Sequence, residues 1–351
     1  MSLRIATTAL AFILGANAQY TATYDPNNLP QKTENGQVGT NQCGEANSQT
    51  SLCQNVYVNG PDDFCLWGPQ QTASIGNVEG EVVAYCTKPG RGTRLFPDGT
   101  ILSAHFLETP DYIQITGTGV FTNIGVIPDG GGELDPHGAE GTGNPIGGLV
   151  FSNVWTGGSG AGQQIHEWTN FMSESEYCIR VCKEGPMAPT YCGHVYDING
   201  CQWNIPGRYD DGFERCQADN TLPMGLYPQP DGSTSTYSPR ASPVPTPHPA
   251  AASSNCQTFE STALFNGLPA APASASSSTT TSSSSSSSRS STTPRTTAQS
   301  TSRVSGSSSS HERPQTSSPA PTGSPNSAPV GKGPGFGAAG LGFMAVIALW
   351  M

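Results

Sequence analysis

Two short stretches carry the residue types that acid–base chemistry needs. The first is Gly130-Gly131-Gly132-Glu133-Leu134-Asp135-Pro136-His137-Gly138-Ala139-Glu140-Gly141, with five glycines, three carboxylates and one histidine. Glycine lets a backbone approach a ligand closely, and loops are where binding side chains converge. Glu133, Asp135 and His137 alternate, so in an extended segment they project to one side. Such a set can serve acid–base chemistry or hold a hard cation, whereas Asp135 and Pro136 are also ordinary turn formers of a solvated loop. The spacing matches no calcium loop or zinc motif, so no metal and no cofactor is expected.

The second stretch is His166-Glu167, at the start of an expected helix. Glu133 and Glu167 together are the two carboxylates that a glycoside hydrolase uses as acid and as base or nucleophile, across a gap that only a folded chain can set. A glutamate in a first helical turn is also favoured by the helix dipole without any catalytic role. The candidate catalytic residues are therefore Glu133, Asp135, His137, His166 and Glu167. No Gly-x-Ser-x-Gly elbow pairs with a placed histidine, and Gly157-Gly158-Ser159-Gly160 has the wrong glycine spacing for one.

The 351-residue chain has 12% charged residues and a net charge of −11, against about 25% charged in an ordinary globular domain. The charge is unevenly spread: Gln19 to Glu260 holds 25 acids and 9 bases, whereas Ser261 to Val330 holds four arginines and one glutamate. So acidic a body is a poor match for a phosphate backbone, which excludes nucleic acid as a partner. Met1 to Arg4, the apolar run Ile5 to Leu14 and Ala16-Asn17-Ala18 have the layout of a secretory signal peptide over residues 1–18. Cleavage there exposes Gln19, whereas a polysaccharide oxidase with a copper brace needs an N-terminal histidine.

Secretion gives the ten cysteines, all between Cys43 and Cys256, an oxidising compartment in which five disulfides are expected rather than a zinc cluster. Short spacing pairs Cys43 with Cys53 and Cys65 with Cys86. From Ala271 to Val330, 34 of 60 residues are Ser or Thr. A stretch with so little to bury cannot offset the ~1–2 kcal/mol per residue that ordering costs, so residues 261–326 read as a disordered, O-glycosylated stalk. The chain contains no Asn-x-Ser/Thr acceptor. Asn326-Ser327-Ala328, a polar spacer and the apolar Gly335 to Met351 form the pattern of a GPI-anchor signal, with Asn326 the expected attachment site and 327–351 the propeptide.

The elements that must position the candidates are mainly β. Residues 19–42 read as an extended arm, and 43–260 as a disulfide-bonded ectodomain. Short β-branched and aromatic runs at 81–85, 93–96, 101–107, 112–116, 120–127 and 149–154 predict an antiparallel sandwich or barrel over 75–155. Pro97-Asp98-Gly99, Pro128-Asp129-Gly130 and Pro230-Asp231-Gly232 are hairpin-turn signals. Ile165, Trp168, Met172, Ile179 and Cys182 recur at helical spacing, so a small helical Cys-rich part is expected over 160–216, making the class α+β. A second short helix over 189–198, antiparallel to the first, brings Cys182 near Cys192 and Cys178 near Cys201, leaving Cys216 for Cys256. Trp67, Trp155, Trp168 and Trp203 read mostly as core residues.

At Pro26-Asn27-Asn28-Leu29-Pro30, Asp135-Pro136-His137-Gly138-Ala139, Asn144-Pro145-Ile146-Gly147-Gly148, the run from Gln164 to Met172 and Cys201-Gln202-Trp203-Asn204, the chain resembles fungal secreted macrophage activating glycoproteins. The resemblance implies a fungal cell-surface glycoprotein and carries no catalytic residues with it. The first functional expectation is thus a non-enzymatic, GPI-anchored, O-glycosylated protein of the outer plasma-membrane face or cell wall. The alternatives are a surface glycoside hydrolase or transglycosylase, or a glycan-binding module. Cell-wall glycans are the candidate partners, and the membrane is reached through the lipid.

Overall fold

The computed structural model describes residues 22–265 and 267–271; the signal segment, most of the Ser/Thr-rich stretch and Asn326 lie outside them. Six strands form one sheet: β1 (Asn55–Gly60), β2 (Asp63–Gly68), β3 (Val83–Cys86), β4 (Arg94–Leu95), β8 (Leu149–Ser152) and β9 (Gln163–Ile165), in the order β4-β3-β2-β1-β8-β9. Seven form the other: β5 (Ser103–Glu108), β6 (Tyr112–Thr118), β7 (Gly132–Leu134), β10 (Glu167–Met172), β11 (Glu176–Cys182), β12 (Gly212–Gln217) and β15 (Ser254–Thr258), in the order β15-β12-β5-β6-β11-β10-β7. A hairpin, β13 (Leu226–Pro228) with β14 (Thr234–Thr236), stands apart. Most pairs are antiparallel, but β1 with β8, β3 with β4 and β5 with β12 run parallel, so the sheets are mixed.

The sheets share one core and form a sandwich. Phe64 of β2 stacks on Tyr177 of β11 with ring centroids 5.7 Å apart, and Trp67 of β2 meets Trp168 of β10 at 5.9 Å. Strand alternation supplies the core residues: Tyr177, Ile179 and Val181 of β11 point inward, as do Ile113 and Ile115 of β6. Trp67 and Trp168 follow this pattern, Trp155 packs against the core from a 3-10 turn, and Trp203 is buried in a separate cluster with Tyr196, Met224 and Tyr237.

Several local expectations are corrected. The segment read as a helix from Ile165 to Cys182 is the end of β9 followed by the β10–β11 hairpin. Its apolar spacing fits both periods, and its Trp, Thr, Phe, Tyr, Ile and Val content together with the turn at Ser173-Glu174-Ser175 decides for strands. The Ser173 hydroxyl accepts the Glu176 N–H at 3.0 Å to close that turn. The 189–198 helix is reduced to separate turns at Ala188–Tyr191 and Asp197–Asn199. Residues 120–127 contain a 3-10 turn, Phe121–Ile124, ended by Gly125 at φ 88°. The first strands missed are β1 and β2, outside the expected 75–155 region.

Pro97-Asp98-Gly99 carries the chain from one sheet to the other, whereas Pro230-Asp231-Gly232 lies in the β13–β14 hairpin as its residues imply. The arm is laced into the body: Tyr24 and Leu29 pack on the core, and the buried Asn41 amide donates to the Gly147 carbonyl at 2.9 Å. The body also runs past residue 260, since Phe265 packs edge-on against Phe213 at 5.5 Å.

The five disulfides are Cys43–Cys53, Cys65–Cys86, Cys178–Cys201, Cys182–Cys192 and Cys216–Cys256, the pairs expected from the sequence. Cys178 and Cys182 do share a side, but on a strand, because a separation of four is a multiple of the strand period.

The inter-sheet stack gives a direct test. Phe64→Ala should cost about 3–5 kcal/mol, a large part of a typical 5–15 kcal/mol stability. Urea unfolding that moves by less than 1 kcal/mol would show that the two sheets do not depend on this contact.

Candidate functional site

The outer face of the seven-stranded sheet is unusually polar. Register places Glu133 opposite Phe171, Thr169 opposite Arg180, Arg180 opposite Gln114, and Thr116 opposite His105, so all share this face. A roof of short turns after β11 covers part of it, fastened by Cys182–Cys192 and Cys178–Cys201. Beneath the roof, Arg180 is 1% exposed; its guanidinium donates to Gln114 Oε1 at 2.7 Å and to the Tyr191 carbonyl at 3.1 Å. His105 is held by Glu214 at 2.9 Å and by the Asp210 carbonyl at 2.9 Å, which marks it as a structural histidine.

Where the roof meets β7 and β10 a cavity of about 620 Å³ opens, lined by Glu133, Asp135, Glu79, Asp197, His194 and Phe171 among others, with no lysine or arginine in its wall. Glu133 stands on β7 and is 5% exposed; its Oε1 accepts the Thr169 hydroxyl at 3.1 Å. Asp135 lies one alternation further on. Its Oδ1 accepts the backbone N–H of His137 at 2.6 Å and of Gly138 at 2.8 Å, a turn that fixes the carboxylate in place.

Burial, followed by the neighbouring Asp135 carboxylate and a hydrogen bond to it, holds the Glu133 carboxyl well above its ordinary range. The direction favours the protonated form of Glu133 beside Asp135. Glu79 is raised by burial and then by the charges of Asp135 and Asp197, against a hydrogen bond from Asn144. His194 is lowered by burial and by His137, so its imidazole is kept neutral.

The five candidates divide into three groups. Glu133 and Asp135 form the carboxyl pair in the cavity. His137 Nε2 meets Glu167 Oε2 at 3.2 Å, and the His137 ring stacks on His194 with centroids 3.8 Å apart. His166 faces elsewhere, at 2.6 Å from Glu184 and 3.2 Å from Thr23, because successive strand residues point to opposite sides. The expectation that His166 and Glu167 open a helix is replaced by their place at the entry to β10. Glu133 and Glu167 are not a close pair either: β10 separates their positions by four residues, about 13 Å of strand.

His194, Asp197 and Glu79 were not singled out by sequence. His194 has one usable signal: it lies between Cys192 and Cys201, two cysteines whose bridges return the chain to β11.

The chain is 48% identical over 251 residues to "Appressorium protein ROW2" of Mycosarcoma maydis, covering 69% of this chain and 84% of that protein. The chain belongs to the ROW2 family. Family membership extends to "Appressorium protein ROW1" of the same fungus, 45% identical over 243 residues, or 68% of this chain; the matched region is 55% of that longer relative. No protein-family model and no solved structure matches the chain.

The carboxyl pair of this family member generates a pH prediction. A Glu whose native pKa is raised binds its proton in the folded state at pH values where the unfolded chain has released it. That stability is fully present below the ordinary glutamate range and is lost as pH rises toward the raised native value. Glu133→Gln keeps a polar side chain beside Asp135 without the titration, so it should raise Tm at neutral pH and flatten the fall of Tm as pH rises above the ordinary glutamate range. Equal slopes for the two proteins would contradict a buried Glu133 with a raised pKa.

Proposed function

We propose that this protein is a secreted, O-glycosylated, GPI-anchored surface protein of the fungal appressorium, displayed at the outer face of the plasma membrane or in the wall. The observation that carries this reading is the body itself: all ten cysteines are paired, which requires an oxidising compartment. The relatives' names support an appressorium setting, and the Ser/Thr-rich stretch with the apolar Gly335 to Met351 supports the stalk and anchor in this reading. Among the described residues no helix is long and apolar enough to cross a membrane. The body's function in this reading is contact with wall glycans through the acidic cavity, whose carboxyls accept from sugar hydroxyls.

A second reading is favoured by one feature, the buried Glu133 carboxyl whose pKa is raised beside Asp135 in the cavity. A carboxylic acid beside a carboxylate is the equipment of a carbohydrate-active enzyme, a hydrolase or transglycosylase. Its burial and its distance from Glu167 along β10 weigh against the spaced pair of a standard glycosidase, so display and binding rank first.

Two measurements check these readings. Phosphatidylinositol-specific phospholipase C should release the protein from intact cells, and Asn326→Gln together with Ser327→Gln should reduce its surface level several-fold; retention after phospholipase with an unchanged variant would count against the anchor. Purified protein should release no reducing sugar from isolated wall; release that disappears in Asp135→Asn would establish the enzymatic reading instead.

A further inference from the structure

We propose that His137, Glu167 and His194 form a binding site for a divalent transition-metal ion of the zinc class. Their ligand atoms, two imidazole nitrogens and a carboxylate oxygen, all lie within 4.8 Å of one another. His137 Nε2 and Glu167 Oε2 are already 3.2 Å apart, close to the ~3.4 Å edge of a tetrahedron with ~2.1 Å metal–ligand bonds. Two imidazoles and one carboxylate suit zinc, cobalt or nickel, whereas calcium and magnesium ask for oxygen alone.

Each ligand is held from a different part of the fold. Glu167 opens β10, and its cross-strand partner is Cys182. Cys182 is bridged to Cys192, two residues before His194, so one disulfide hangs the roof histidine above the strand glutamate. His137 follows the turn in which Asp135 Oδ1 accepts its backbone N–H at 2.6 Å. The sequence separations are 30 residues from His137 to Glu167 and 27 from Glu167 to His194, which explains why no short metal motif is visible.

His194 provides an independent sign. Its Nδ1 is buried without a protein hydrogen-bond partner, and a buried polar atom of this kind costs free energy unless a water or an ion satisfies it. Asp135, Glu167 and Asp197 all bring negative charge to His194, and the adjoining cavity wall has no cation to compete with an ion. The imidazoles stack within 13° of parallel, and a metal binds in the plane of each ring, so binding must turn the rings out of the stack. Three protein ligands leave a fourth position open to water or another small ligand. This inference does not depend on the surface-display reading or on the Glu133–Asp135 pair acting in catalysis.

The test uses the full-length protein, purified without a polyhistidine tag and stripped with a chelator. Titration with Zn2+ alone in a calorimeter should show one saturable site per chain. His194→Ala and Glu167→Gln should each weaken it at least tenfold, with His248→Ala, whose ring packs on Tyr227 instead, unchanged. Co2+ should give the visible d–d bands of four- or five-coordinate ligation in the unaltered protein, a readout that requires no variant to fold. Absence of saturable Zn2+ binding, absence of those bands, or undiminished affinity in both ligand variants would overturn the site.

Discussion

Two disulfides on one strand organise the functional half of this molecule. Cys178 and Cys182 project from the outer face of β11, and their bridges to Cys201 and Cys192 draw the following segment back over the sheet. That segment has only isolated helical turns, and short turns do not hold themselves in water. Bridges closing loops of this size contribute roughly 2–4 kcal/mol each, mainly by restricting the unfolded chain. With the roof in place, His194 and Asp197 reach residues of β7 and β10; without it, the outer face would be an exposed polar sheet.

The other constraint is electrostatic. The cavity gathers carboxyl groups from β7, the turn before β3 and the roof without a compensating lysine or arginine in its wall. Burying several carboxylates together is costly, and burial beside Asp135 pushes the Glu133 carboxyl up, toward its uncharged form. Backbone N–H groups at His137 and Gly138 stabilise the charge that remains. The rigid inter-sheet packing of Phe64 on Tyr177 and Trp67 on Trp168 fixes β10 and β11 so that this balance can be maintained.

The legible parts of the sequence were those governed by local chemistry. Strands β3 to β6 and β8 show as short β-branched runs between turn residues; of the alternating Glu133, Asp135 and His137, the first two line the cavity, whereas His137 meets Glu167. The β10–β11 hairpin was illegible because apolar residues three, four and seven apart satisfy a helical period as readily as a partly alternating strand. Only the β-rich composition and the Ser173 turn distinguish them. β1 and β2 were hidden by their polar and glycine ends, and the pairing of His137 with His194 by 56 intervening residues.

By itself, the sequence determined the acidic body, the even set of cysteines and their short-range pairs, and a predominantly β fold, because these follow from composition, spacing and propensity. The candidate carboxylates of the 130–141 loop were also visible, since glycine and acidic residues cluster there within a few positions. Tertiary structure alone decided that His166 and Glu167 part company, that burial raises the Glu133 carboxyl, and that a roof histidine joins His137. Strand register, burial and disulfide closure bring together residues far apart in the chain, and none of these is a property of a local window.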